Sequence, residues 1–210
     1  MKNLLGGKGA GLAEMSRIGL QVPPGFTITT EYCHEYQKNK KHATGFMDEV
    51  KKAVKAVEKK MGKRLGDEKS PLLFSVRSGA RLSMPGMMDT VLNLGLNDVS
   101  VKGLAAQTKN ERFAYDSYRR FLNMYGNVVL GVEHHFFEEK FTEYKKKKGY
   151  RGDLDMTSED LKELVKIYKT LVKEHLGKDF PENSWDQLFG AINAVFDSWN
   201  GKRAIEYRRI

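Results

Sequence analysis

Cysteine is almost missing: Cys33 is the single thiol in 210 residues. One thiol cannot build an internal disulfide framework or a CxxC metal site, and it points to a reducing, cytoplasmic compartment. With no partner nearby to mark it as a nucleophile, Cys33 reads as a buried structural thiol. No apolar run approaches the ~18–20 residues of a membrane span, so no membrane partner is expected. The opening Met1-Lys2-Asn3-Leu4-Leu5-Gly6 lacks the long apolar stretch of a signal peptide. Familiar catalytic patterns are absent as well. There is no Ser/His/Asp triad, no HExxH and no GxxxxGK(S/T) phosphate loop. His134 and His135 are adjacent, so a helix turns them to different faces, and no metal ligands are assigned.

What is present is enough for a core and rich in positive charge. The apolar fraction is 40% and the aromatic fraction 10%, which excludes disorder as the main state. Lysine and arginine number 36 against 27 acidic residues, a net charge of +9. That balance suits an anionic partner such as a nucleotide or a phosphate metabolite. The densest run, Lys145-Lys146-Lys147-Lys148, reads as a solvated last helical turn that complements the helix dipole.

The texture changes near residue 108, and the spacing predicts an α+β fold. Residues 1–108 and 184–210 are expected to form an α+β, nucleotide-facing subdomain, with 109–183 a helical one. In the first half, Lys8 to Ile18 reads as a short helix leaving a glycine loop and stopped by Gly19. Phe26-Thr27-Ile28-Thr29 reads as a strand, Thr30 to Lys38 as a helix, and Met47, Val50, Val54, Val57 and Met61 as one helical stripe. Leu72 to Val76, and Leu92, Leu94 and Leu96, read as strands. In the second half, Ala114, Tyr118, Phe121, Leu122 and Tyr125 share a helical face, and His134 to Lys148 is a helix. Thr157 with Asp160, and Ser184 with Gln187, read as capping boxes opening two further helices. The apolar stripes read as core.

Three segments could carry chemistry. Gly6-Gly7-Lys8-Gly9-Ala10-Gly11 precedes helical sequence, so backbone N–H groups could approach an anion, with Lys8 as a mobile cation. A flexible turn with an exposed lysine is the alternative. Phe74-Ser75-Val76-Arg77-Ser78-Gly79-Ala80-Arg81 ends a strand in two guanidiniums, a good anion clamp; charge-assisted hydrogen bonds contribute roughly 1.5–3 kcal/mol each. An arginine paired with a neighbouring carboxylate is the alternative. Ser83-Met84-Pro85-Gly86-Met87-Met88-Asp89-Thr90 is an adaptable apolar loop able to pack on a planar base, or else methionine used as core filler.

Together these segments resemble the pyruvate, phosphate dikinase family. The match starts at Leu4-Leu5-Gly6-Gly7-Lys8-Gly9-Ala10-Gly11-Leu12-Ala13-Glu14-Met15. It continues through Ser75 to Arg81, Ser83 to Thr90, Asn93 to Asp98, Arg112 to Phe121, and Arg203-Ala204-Ile205-Glu206-Tyr207-Arg208-Arg209. It covers essentially the whole chain. Phosphoenolpyruvate synthases share a related start and the Ser-Val-Arg-Ser segment, but the Met-Pro-Gly-Met-Met-Asp-Thr stretch resembles the dikinases more.

The resemblance implies part of an ATP-grasp domain with a helical insertion. Such a domain uses ATP and phosphate to phosphorylate a histidine on a swivelling carrier domain. A barrel then passes the phosphoryl group to pyruvate, giving AMP, pyrophosphate and phosphoenolpyruvate. By motif, Lys8, Gly7 and Gly9 would contact nucleotide phosphates. Arg77 would bind them too and, as the catalytic residue, stabilise the transferring phosphoryl group. Gly86, Met87 and Met88 would lie near the adenine. The resemblance also implies Mg²⁺, with ligands expected outside this chain, and leaves room for a homodimer in the full enzyme. No segment here resembles the phosphohistidine region or the barrel, so the chain is expected to be a fragment that is inactive alone. The alternatives are a phosphoenolpyruvate synthase-like ATP-binding domain and a non-catalytic basic module for nucleotide or nucleic acid. No RNP, zinc-finger or helix-turn-helix pattern supports the last, and no nucleic-acid partner is expected.

Overall fold

In the computed structural model, which describes residues 1–82, 84 and 86–209, the elements are helices and two small sheets. Their order is α1 (Lys2–Arg17), α2 (Thr30–Asn39), α3 (Phe46–Met61), β1 (Arg64–Leu65), β2 (Pro71–Leu72), β3 (Phe74–Arg77), β4 (Thr90–Leu94), α4 (Ser100–Thr108), α5 (Glu111–Val128), α6 (His134–Lys148), α7 (Ser158–Leu176), α8 (Ser184–Ser198) and α9 (Lys202–Tyr207). The mixture is α+β. Two compact units divide it: residues 1–62, 77–90 and 192–210 in one, and 63–76 and 91–191 in the other.

In the first unit, α1 begins earlier than the sequence suggests. The Met1 carbonyl accepts bonds from the Leu4 and Leu5 N–H groups, so a helical turn forms ahead of the glycines. Two helical segments then meet at Gly6, whose φ of +69° and ψ of 179° break the spiral. The predicted glycine loop is therefore largely helix, with one kink. Gly19 ends it as expected. At φ +84° its N–H reaches the Ser16 carbonyl, and the Leu20 N–H reaches that of Met15, which is a Schellman closure.

Phe26–Thr29, predicted as a strand, is not one. Among the described residues no sheet includes this segment, and β preference depends on cross-strand packing. Thr29 is extended and serves another end: its hydroxyl accepts the Tyr32 N–H and caps α2. In α3, Phe46, Val50, Val54 and Val57 are buried, while Met47 and Met61, expected on the same stripe, are 45% and 40% exposed. Tyr32 stacks on Phe46 with ring centroids 4.1 Å apart, and His42 stacks beside them at 4.6 Å. The C-terminal half of α8 closes this core. His42 Nε2 lies 2.6 Å from Asn193 Oδ1, and the Gln37 amide donates to the Phe196 carbonyl.

In the second unit, β1 and β2 pair in parallel, with Arg64 opposite Pro71. The predicted strand over 72–76 is split at Leu73 between β2 and β3, and β3 pairs with β4. The helical stripes behave as read. Ala114, Tyr118, Phe121, Leu122 and Tyr125 of α5 are buried, and α5 packs against α7, which buries Leu161, Leu164, Val165, Tyr168, Leu171 and Val172. Each such side chain contributes roughly 1.5–3 kcal/mol on burial. The Thr157–Asp160 capping box forms: the Thr157 hydroxyl accepts the Asp160 N–H at 3.2 Å, and Asp160 accepts the Thr157 N–H at 2.9 Å.

The box expected at Ser184 does not form. Asn183 Oδ1 accepts the Trp185 and Asp186 N–H groups and caps α8 instead. Ser184 is buried inside the first turn, and its hydroxyl has no partner. Gln187 turns away to the polypeptide beyond β4, accepting the Gly95 N–H and donating to the Leu96 carbonyl. Asparagine and serine both cap well; the burial of residue 184 decides between them.

Candidate functional site

Two glycine-bearing segments, 73 residues apart in the chain, cross at Gly6 and Gly79. The crossing is so close that a Cβ on Gly6 would lie 1.1 Å from the Gly79 carbonyl oxygen. Only glycine fits there, for reasons of space and of φ. The next residue donates its backbone N–H to the Ala80 carbonyl at 3.0 Å. The one after, Lys8, donates from Nζ to the Ser78 carbonyl at 3.0 Å. Gly9 is buried against Thr27, whose methyl would stand 3.0 Å from an added Cβ. Thr30 donates its hydroxyl to the Asn3 carbonyl and holds the start of α1.

This arrangement joins the first two predicted segments. Lys8 sits on the carbonyl of the residue that directly follows Arg77. Arg77 closes β3 and is exposed; Arg81 is exposed as well. Both lie in the same compact unit as Lys8. The glycines act differently from the sequence reading. They admit protein backbone and side chain, and the Gly7 N–H is engaged by Ala80 rather than open.

The methionine segment is anchored on its own. Gly86 adopts φ +70°, and the Met87 N–H closes a turn on the Met84 carbonyl at 3.2 Å. Met84 is buried, and Met87 and Met88 are half-buried. Asp89 N–H donates to the Ser198 hydroxyl at the end of α8. Burial raises the Asp89 carboxyl above its ordinary pKa, with the Arg203 charge opposing. Ser83 and Pro85 of the same motif lie outside the described residues.

Sequence reasoning missed the Ser78 carbonyl and the Gly6–Gly79 crossing. Backbone acceptors leave no trace in residue identity. The one available signal was a glycine in each of two cation-bearing motifs.

The remaining chemistry-bearing residues are occupied with structure. Burial, assisted by Asp197, pushes the Cys33 thiol up to about 11. His134 pairs with Asn123 and Glu138, and His135 with Glu133. In the lysine run, Lys145 pairs with Asp153 and Lys148 with Asp160. Among the described residues, no three His, Cys, Asp or Glu side chains gather as metal ligands. None of the described helices is long and apolar enough to cross a membrane.

Charge is partitioned sharply. The unit holding Lys8, Arg77 and Arg81 carries 17 basic against 9 acidic residues, or +8 of the chain's +9. The other unit carries 19 against 18. The positive field that attracts anions therefore belongs to the unit with the glycine crossing.

Comparison with known proteins gives the same direction. The family model for the pyruvate phosphate dikinase AMP/ATP-binding domain matches residues 2–44 and 40–210. The chain is 58% identical over its whole length to the chloroplastic pyruvate, phosphate dikinase of Mesembryanthemum crystallinum, covering 22% of that protein. It is 57% identical to pyruvate, phosphate dikinase 2 of Oryza sativa subsp. japonica and 53% identical to the Clostridium symbiosum enzyme, covering 24% of each. The chain thus spans under a quarter of the length of these curated relatives. The family model and a match running from end to end place this chain in the pyruvate phosphate dikinase AMP/ATP-binding domain family.

Proposed function

We propose that this chain is the phosphate-facing part of an ATP-grasp domain in a dikinase. In the whole enzyme it would bind ATP and assist phosphoryl transfer toward a histidine on a carrier domain. The overall reaction would convert ATP, phosphate and pyruvate into AMP, pyrophosphate and phosphoenolpyruvate. One observation carries the reading: the Lys8 ammonium rests 3.0 Å from the carbonyl of Ser78, the residue after Arg77, on the more basic unit.

The roles follow from the side-chain chemistry. The Lys8 ammonium is a compact charge with three donors, suited to phosphate oxygens of varying position. The planar Arg77 guanidinium can bind two oxygens at once and stabilise negative charge that builds on the transferring group. Gly7 and Gly9 support the site by permitting close approach around Lys8. The turn at Gly86 presents Met87 and Met88, soft and polarisable, to the adenine face. Inorganic phosphate and the carrier domain are the further partners, a homodimer remains open to the full enzyme, and a cytoplasmic location fits the single reduced thiol. A nucleic-acid partner forms no part of the reading. The described residues do not fit Mg²⁺, since no group of three ligating side chains gathers, and no step is assigned to it here.

The test is calorimetric titration of the purified chain with ATP. Lys8→Ala and Arg77→Ala should each weaken ATP binding about tenfold or more, the value of one charge-assisted contact, while circular dichroism stays unchanged. Unaltered affinity in both variants would reject the site.

A further inference from the structure

The Gly6–Gly79 crossing does more than let two segments pack. Gly6 stands at φ +69°, with the Gly79 oxygen where its Cβ would be. Two consecutive bonds then run between the same segments: Gly7 N–H to Ala80 O, and Lys8 Nζ to Ser78 O, both 3.0 Å. The contacts march in register, 6 on 79, 7 on 80, with the Lys8 side chain reaching back to 78. A long lysine side chain ordinarily keeps much rotamer freedom. Here a backbone acceptor fixes its end.

We infer that Gly6 and Gly79 are positioning residues: their crossing sets the Lys8 ammonium on the Ser78 carbonyl, one residue from Arg77, and leaves two of its donors for the phosphate oxygens of a nucleotide. The inference rests on the phosphate-binding reading of Lys8 and extends it to two glycines that touch no ligand. Gly6 is the sharper test. An alanine there must force the two backbones apart, whereas a Cβ on Gly79 would meet only the Leu5 oxygen, at 3.4 Å. By linkage, a nucleotide that binds the set lysine must also stabilise the crossing.

The experiment is a double-mutant cycle on the full 210-residue chain with ATP as the probe: wild type, G6A, K8A and the double variant. Each single change should weaken binding about tenfold, and the double variant should bind no worse than K8A alone. Losses that multiply would overturn the inference, because Gly6 would then act independently of Lys8. K8A binding like wild type would instead overturn the phosphate reading itself, and the inference with it. If G6A loses its far-ultraviolet circular dichroism, amide exchange in the other two proteins decides. Saturating ATP should slow exchange of the Gly7 amide in wild type and not in K8A. An unchanged Gly7 rate in ATP-bound wild type would sink the coupling.

Discussion

At Gly6, the absence of one methyl group lets Lys8 be held beside the end of β3. The φ of +69° and the neighbouring Gly79 oxygen leave no room for another residue, and the Lys8–Ser78 bond follows two residues later. Cys33 shows the opposite kind of residue-scale control, an environment that suppresses chemistry. Burial comes first among the causes that raise its thiol to about 11, with Asp197 adding to it and Lys40 opposing. An ordinary thiol titrates near 8.5. At pH 7.5 the thiolate fraction should therefore be roughly three-hundredfold lower. Disulfide-exchange labelling of the native chain should be slower than that of the urea-unfolded chain by about that factor. Equal rates would show an accessible, ordinary thiol. The residues of the proposed site stood out in the sequence, since Lys8, Arg77 and the glycines form cation-bearing motifs. Their partners did not, because Ser78 contributes a carbonyl that any residue would supply.

Helices were read most reliably where their signals are local. α6 spans His134–Lys148 as its periodicity predicts, and α7 opens with the Thr157–Asp160 box. Tertiary contacts overrode the signals elsewhere. Phe26–Thr29 has strand composition but does not form a strand, and Ser184 yields its cap to Asn183. Asp160 makes the α7 cap unusually strong. Burial would raise its carboxyl pKa, but hydrogen bonds from Thr157, Tyr150 and Lys148 prevail and hold it far below the ordinary carboxylate range. Tyr144 adds its hydroxyl at 3.0 Å. A depressed folded pKa gives stability that is fully present above the unfolded value, near ~3.9, and that disappears as pH falls through the folded one. Asp160→Ala should cost about 3 kcal/mol at pH 7, given the hydrogen bonds to a buried charge. The gap from wild type should narrow steadily below about pH 4. Chemical denaturation across a pH series measures both, and a gap independent of pH would refute the assignment to ionised Asp160.

Over the whole molecule, the two units differ in charge far more than in composition. Nearly all of the excess positive charge belongs to residues 1–62, 77–90 and 192–210. In the proposed function that unit would supply positioning and charge for phosphoryl transfer. The reaction also requires metal in place, and no metal-ligand group gathers among the described residues. The purified 210-residue chain should therefore bind ATP and yet form no phosphoenolpyruvate from pyruvate, phosphate and ATP. A coupled assay with Mg²⁺ present, run beside a full-length dikinase, checks this, and sustained turnover by the chain would contradict it.

By itself, the sequence determined the α+β class, most helices, the family and the residue types of the proposed site. Periodicity, caps and motifs are written in side chains, and side chains are what a sequence records. The tertiary structure decided which backbone groups meet: the kink at Gly6, the carbonyl under Lys8, the cap at Asn183 and the non-strand path of Phe26–Thr29. Backbone atoms are chemically alike at every position, so only the folded path of the chain can tell one carbonyl from another.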